Sequence, residues 1–291
     1  MSKEQTVLDI WNGHWSSLAP TATDVLQNRF AKEAFIKISA FVTERDRRIL
    51  EVGCGTGRFC TLMASERPHA LVVGVDLSEN ALNIASRLKH ELRSHNLSFI
   101  KANLIRLPFS DGYFDVVFSE GVISHFSSEG VPTFADALSE MARVTKPGGT
   151  VIAAVPNWYC FPHVTYKWIL RRLHIPYEYG YEKSFSPTEL GRLFRSLALD
   201  DVQYSGYFPA HTFYRLTHLS RLFRLAGALT DRAEKVCDLA RRDWFSRVFG
   251  FEIVAMGHKR SPGTPFSRNG TDEQITQSAG EAIRNSQTPV L

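Results

Sequence analysis

The sequence contains no apolar run approaching the roughly eighteen residues that a membrane-crossing helix needs. Its amino end lacks the basic, apolar and small-residue regions of a secretory leader, so neither export by that route nor a membrane span is expected. Cysteine is scarce: Cys54, Cys60, Cys160 and Cys237 form no C-x-x-C pair and no metal-ligand spacing. A disulfide scaffold and a structural zinc site are thereby excluded, no metal is expected, and buried thiols in a reducing cytoplasm are the reading. Charge of one sign is also in short supply, since a formal balance of +4 over 291 residues does not by itself imply nucleic acid. No RNA-binding module is visible. Beyond Lys259 apolar residues become few, and a composition of Ser, Thr, Gly, Pro, Gln and Asn predicts a disordered tail over 260–291.

What is present is organised around Ile49-Leu50-Glu51-Val52-Gly53-Cys54-Gly55-Thr56-Gly57, an apolar strand running into three alternate glycines. Glycine lets the backbone turn tightly there and lets a ligand approach main-chain amides. A second strand, Leu71 to Val75, ends at Asp76, about twenty residues past the loop, where a carboxylate can accept hydrogen bonds from both ribose hydroxyls. A dinucleotide site would use G-x-G-x-x-G, with a helix amino end facing pyrophosphate. Here the spacing is G-x-G-x-G, and Glu51, two residues before the first glycine, would repel a pyrophosphate but suits a cation.

This arrangement resembles class I S-adenosylmethionine-dependent methyltransferases, in particular the small-molecule enzymes of ubiquinone and menaquinone biosynthesis. Leu107-Pro108-Phe109, Phe114-Asp115-Val116-Val117-Phe118-Ser119 and Pro147-Gly148-Gly149 follow in the family's order. The resemblance implies an α/β fold, a doubly wound and mostly parallel seven-stranded sheet, and S-adenosyl-L-methionine as cofactor. Glu51 and the backbone of Gly53, Cys54 and Gly55 would hold the methionine moiety. Asp76 and Leu77 would take the ribose, Asn103 and Leu104 the adenine, and Glu120 either cofactor or substrate. Asn103 stands where the family usually has an acid, and its carbonyl oxygen can still accept a hydrogen bond.

Along the chain, helices are expected at 57–66, 78–94, about 131–144 and 187–197, the last opening with Ser186-Pro187-Thr188-Glu189. Strands are expected at 97–102, 114–119, 150–155 and near 202–204, with an antiparallel last strand over 251–256. Residues 1–45 form an amino-terminal helical segment whose apolar positions include Val25, Leu26, Phe30, Phe35, Ile36 and Ile38. The methyltransferase domain would occupy 46–259, carrying insertions at 157–185 and 206–249. Ligands of open parallel sheets bind at the carboxyl ends of the strands, so both insertions should cover that edge as a helical cap.

The cap is aromatic and basic, with fourteen Lys/Arg against nine Asp/Glu over 158–250. Its apolar and basic segments, Val164 to Leu173 and Leu216 to Ala226, suit an amphiphilic acceptor or peripheral contact with a membrane as well as ordinary packing. Methyl transfer from a sulfonium needs alignment, plus a base if the nucleophile carries a proton. His125, just after the central strand, is the expected base. His14, Tyr159, His163, Tyr179 and Tyr181 are candidates to face the acceptor. The Asn/Asp-Pro-Pro-aromatic run of amino-group methylases is missing after the central strand, where Ser119-Glu120-Gly121-Val122 stands. The expectation is methyl transfer to an oxygen of a small or lipid-linked acceptor, with a ring carbon of a quinone-like acceptor, or a catalytically silent binding module, as the alternatives.

Overall fold

A computed structural model describes residues 3–16, 21, 24, 28–126, 133–177, 179–207, 225, 228–229, 232 and 250–262. The chain divides into two units, Met1–Arg260 and Ser261–Leu291. The described residues of the first unit hold a seven-stranded sheet: β1 (Arg48–Val52), β2 (Leu71–Asp76), β3 (Leu97–Lys101), β4 (Phe114–Glu120), β5 (Thr145–Pro156), β6 (Leu199–Tyr207) and β7 (Glu252–Lys259). Its order is β3-β2-β1-β4-β5-β7-β6, parallel from β3 through β5, with β7 antiparallel to both of its neighbours. Both expectations, the mostly parallel sheet and the antiparallel last strand, agree with the structure.

The central strands read as unbroken apolar runs because both of their faces are covered. Alternate residues point to opposite faces. Leu50, Val52, Val117, Val151 and Ala153 pack on one side, and Ile49, Val116, Phe118, Ile152 and Ala154 on the other. Phe114 and Phe118 are fully buried, each contributing about 1.5–3 kcal/mol by removal from water.

Helices close both faces: α1 (Lys3–Ser16), α2 (Arg29–Ser39), α3 (Arg58–Glu66), α4 (Glu79–Glu91), α5 (Phe134–Val144), α6 (Phe161–Arg172) and α7 (Pro187–Ser196). Their starts follow from side-chain caps. Asn28 accepts from the Ala31 amide at 2.9 Å, Ser78 from Ala81 at 3.3 Å, and Ser186 from Glu189 at 3.2 Å. Thr133 and Asp136 form a reciprocal capping box that fixes the start of α5.

Two expectations need correction. Ile36, placed on the apolar arc of α2, is 61% exposed, because Ala31, Ala34, Phe35 and Ile38 already make the buried face. The strand expected over 150–155 starts earlier, since β5 begins at Thr145, runs through Lys146-Pro147-Gly148-Gly149 and pairs with β4 across a register shift between Phe114 and Val116. Leu216 to Arg224, Cys237, most of the 206–249 insertion and the 263–291 tail lie outside the described residues.

Candidate active site

The carboxyl ends of β1, β2, β3 and β4 are neighbours in the sheet, which brings together the loop 53–57, Asp76-Leu77, Asn103-Leu104 and Glu120. The loop is built of left-handed glycines. Gly53 has φ +73°, and a Cβ there would meet Val122 Cγ2 at 2.4 Å; Gly55 has φ +49°, with the Trp15 ring 3.1 Å from the place a Cβ would occupy. Neither position admits a side chain without strain.

The loop amides are largely used within the protein. Gly53 and Cys54 donate to the Val75 carbonyl at 2.8 and 2.9 Å, Gly57 donates to the Cys54 carbonyl at 2.8 Å, and Gly55 donates to Asp76 Oδ2 at 2.8 Å. A phosphate nest needs such amides free. Asp76 Oδ1 accepts from Ser78 N–H at 2.8 Å, and beyond the Gly55, Ser78 and Leu77 amides the carboxylate retains lone-pair capacity for a ribose hydroxyl. Burial raises this carboxyl from its ordinary value, opposed by the amides of Ser78, Gly55 and Leu77. The residues therefore fit a ribose-bearing, phosphate-free ligand. Asn103 Oδ1 accepts from Ile105 N–H at 3.1 Å, and Leu104 is buried beside it.

Glu51 is placed differently from the expectation that it reaches a ligand. It is 1% exposed, and its Oε2 accepts from Cys60 N–H at 2.8 Å in the first turn of α3. Burial pushes its carboxyl up to about 8, with the Cys60 hydrogen bond and Arg58 opposing and Glu120 adding to the rise. Cys54 and Cys60 are free and buried, their thiols raised chiefly by burial.

Helix α1 lies across this edge. Ser78 Oγ donates to Asn12 Oδ1 at 2.6 Å and Asn80 Nδ2 to Ser16 Oγ at 3.1 Å, while Trp15 covers Gly55. Trp11 stacks on Trp15 at 5.3 Å and on Tyr179 at 5.5 Å, and meets the His125 ring edge-on at 5.2 Å. His14 packs edge-on to Tyr179 at 5.8 Å. The amino-terminal helix and the 157–185 insertion thus meet in one aromatic cluster beside the glycine loop.

His125 lies in the short 3-10 turn Ile123–His125 and is 9% exposed. Its Nδ1 is 2.8 Å from the Tyr181 carbonyl, which makes that nitrogen the donor. Burial lowers its pKa from the ordinary histidine value, with Glu182 and the Tyr181 carbonyl opposing, so the ring is neutral near pH 7.

His163, expected to face the acceptor, is 0% exposed: Nε2 lies 3.1 Å from Glu182 Oε2 and the ring packs on Phe251 at 4.8 Å. Glu182 also accepts from Lys167 Nζ at 3.2 Å and from the Tyr177 hydroxyl at 3.2 Å. Burial would raise this carboxyl, but the His163 hydrogen bond and the charge of Lys167 hold it down at about 2. His163 therefore ties the insertion together from inside. Tyr159 and Tyr181 are 46% and 47% exposed, and the structure records no hydrogen bond for their hydroxyls among the described residues. Tyr207 and Glu252 were not singled out by the sequence, although they join Glu120 by hydrogen bonds. Among the described residues no group of three metal-ligating side chains is found, and no helix is long and apolar enough to cross a membrane.

Comparison with known proteins agrees with this geometry. A family profile described as a methyltransferase domain matches residues 50–153. The demethylmenaquinone methyltransferase of Listeria welshimeri is 34% identical over 122 residues, covering 40% of this chain and 50% of the relative. That of Lactococcus lactis is 40% identical over 106 residues, covering 36% of this chain and 40% of the relative. The chain thus spans about half the length of the curated relatives it matches. Among solved structures, an S-adenosylmethionine-dependent methyltransferase from Thermotoga maritima, described as a possible histamine N-methyltransferase, has 17% identity and a TM-score of 0.58, covering 87% of this chain and 100% of that one. The geranyl diphosphate C-methyltransferase of Streptomyces coelicolor has 18% identity and a TM-score of 0.53, covering 81% of this chain and 80% of that one, a likeness of fold. With the strand order, the glycine loop and the acidic end of β2 all in place, residues 50–153 match a methyltransferase domain, and the fold is that of the solved S-adenosylmethionine-dependent methyltransferases.

Proposed function

We propose that the protein binds S-adenosyl-L-methionine at the carboxyl ends of β1 to β4 and transfers its methyl group to an oxygen of a small or lipid-linked acceptor beneath α1 and the 157–185 insertion. The observation that carries this reading is Asp76, anchored by backbone amides and retaining lone-pair capacity for a ribose hydroxyl, beside a loop whose amides are already used. Bound there, the sulfonium supplies an electrophilic methyl group and a neutral leaving group. Asp76 holds the ribose, with Leu77 packed beside it. Asn103 and Leu104 contact the adenine, and the backbone of Gly53, Cys54 and Gly55 lines the methionine end.

Trp11, Trp15 and Tyr179 exclude water and offer flat apolar walls to a ring-bearing acceptor. His14 and Tyr181 border the same space. With its Nδ1 proton given to the Tyr181 carbonyl and Trp11 against its ring, His125 is assigned to holding α1 and the insertion together rather than to proton transfer. Exposed Phe161 and Trp168 on α6, with Arg171 and Arg172, give the insertion a face suited to the surface of an anionic membrane that carries a lipid-linked acceptor.

A second reading, methylation of a ring carbon, is favoured by the names of the demethylmenaquinone methyltransferase relatives. Incubation with labelled S-adenosylmethionine and a panel of phenols, catechols and quinols, followed by mass spectrometry of the product, tests both. A methyl ether supports the first and a ring methyl the second. Tight cofactor binding with no demethylated cofactor formed from any acceptor would leave a silent binding module.

A further inference from the structure

Three groups, two of them buried and one partly buried, meet on the α2–α3 side of the sheet, apart from the residues assigned above to ribose and adenine. Glu120 is the last residue of β4, Tyr207 the last of β6 and Glu252 the first of β7, and the antiparallel register sets Tyr207 opposite Glu252. The Tyr207 hydroxyl lies 3.2 Å from Glu120 Oε1 and hydrogen-bonds Glu252 Oε2. Tyr207 is 2% exposed and Glu252 5%, whereas Glu120 is only partly buried.

A phenol has one hydrogen to donate. With two carboxyl groups around it, both contacts are hydrogen bonds only if one carboxyl is protonated and donates to the phenolic oxygen. Two ionised carboxylates would leave one buried negative charge without the phenol hydrogen, which a dry interior disfavours. The surrounding charges say where the extra proton sits. Burial raises the carboxyls of both Glu120 and Glu252, but Arg58, on α3, is the leading opposing influence at Glu120 and the smallest at Glu252, and its Nε is buried with no hydrogen-bond partner among the described residues. Glu252 lies deeper, and after burial its carboxyl is raised further by Glu120 and Glu182. The chain therefore runs from the Glu252 carboxylic acid to the Tyr207 oxygen, and from the Tyr207 hydroxyl to the Glu120 carboxylate. Glu120 Oε2 is left without a hydrogen bond among the described residues, at the strand end nearest the glycine loop.

We propose that Glu252, acting through Tyr207, holds a proton that keeps Glu120 ionised and oriented as the group that takes the hydroxyl proton of the methyl acceptor. This rests on the methyl-transfer reading above. In the step, the O–H bond of the acceptor breaks and its proton passes to Glu120 Oε2. The freed electron pair, on oxygen or delivered through the ring to carbon, forms the bond to the methyl group, and the C–S pair returns to sulfur as the thioether. No oxidant or metal is required. The charged and titratable groups facing this set are Glu51 from β1, Arg58 from α3, and Glu182 and His163 from the 157–185 insertion. Glu120 touches the substrate and is catalytic; Tyr207 and Glu252 are positioning residues.

The first test needs no turnover. Infrared spectra of the wild type and Glu252→Gln, both loaded with S-adenosylhomocysteine at pH 7, are subtracted, so that the Glu51 contribution cancels. A protonated-carboxyl band in the difference is expected; an ionised-carboxylate band overturns the proposal. The second test follows rate against pH with S-adenosylmethionine and 1,4-naphthohydroquinone. Tyr207→Phe removes a hydrogen bond to an ionised carboxylate, so the acidic limb should move up by about one pH unit. Glu252→Gln, whose amide can donate to Tyr207 as the acid does, should recover most of the rate that Glu252→Ala loses. An acidic limb unmoved in Tyr207→Phe overturns the proposal. Should the wild type bind the cofactor and methylate no hydroxylated acceptor, the methyl-transfer reading fails, while the infrared result still decides where the proton sits.

Discussion

Replacing Glu51 by Gln should change how stability depends on pH. The Glu51 carboxyl is 1% exposed and pushed up to about 8, mainly by burial, with Glu120 adding to the rise and Cys60, through its thiol and its amide, and Arg58 opposing it. In the unfolded chain it titrates near 4.5. Below that pH the carboxyl is protonated in both states and its burial incurs no penalty for ionisation. As pH rises further the unfolded chain releases the proton first, and the folded state loses about 1.4 kcal/mol per pH unit until pH passes the folded value. Between pH 5 and pH 8 this amounts to about 4 kcal/mol, a large share of the stability of an ordinary domain. Glu51→Gln has no such proton to lose, and its amide oxygen can still accept from Cys60. Urea unfolding at pH 5, 6.5 and 8 should show the variant gaining on the wild type steadily with pH, with equal m-values in both proteins. Parallel stability curves would refute the assignment of a neutral buried carboxyl beneath the loop.

Asp76→Ala should weaken S-adenosylhomocysteine binding at least about tenfold by calorimetry, since a charge-assisted hydrogen bond is lost; unchanged affinity would remove the ribose assignment. Gly53→Ala should destabilise the fold by about 2 kcal/mol or more, because φ is +73° and the new methyl meets Val122; thermal unfolding at the wild-type temperature would contradict the packing described. His125→Ala should lower thermal stability and weaken cofactor binding by loosening α1, while the acidic limb of the rate profile stays in place. A limb displaced by that variant would return His125 to proton transfer.

Much of the sheet was legible in the sequence because each central strand is a continuous apolar run punctuated by glycine, proline or an acid: Gly53 after β1, Asp76 at the end of β2, and Asn157 after Pro156 of β5. The residues proposed for the cofactor could be picked out for the same reason, since they sit at fixed offsets from strand ends, and the sheet order brings them to one edge. The Glu120–Tyr207–Glu252 group was not. Its members are separated by 87 and 45 positions along the chain, and only the placement of β7 between β5 and β6 makes them neighbours. His163 reads as an exposed polar aromatic in isolation, and is buried because Glu182, nineteen residues on, folds back to meet it. Ile36 fits a helical period, which shows that apolar spacing alone does not say where a buried arc stops.

The antiparallel β7 has a consequence for the length of the chain that leads into it. Because β6 leaves and β7 enters at the same point, with Phe251 N–H on the Tyr207 carbonyl at 3.0 Å, the chain from 208 to 250 departs and returns through one doorway. Lengthening such an excursion twofold costs only about 0.6 kcal/mol in closure entropy. The chain between these two ends can therefore change in length at little energetic cost while the sheet beneath keeps its register.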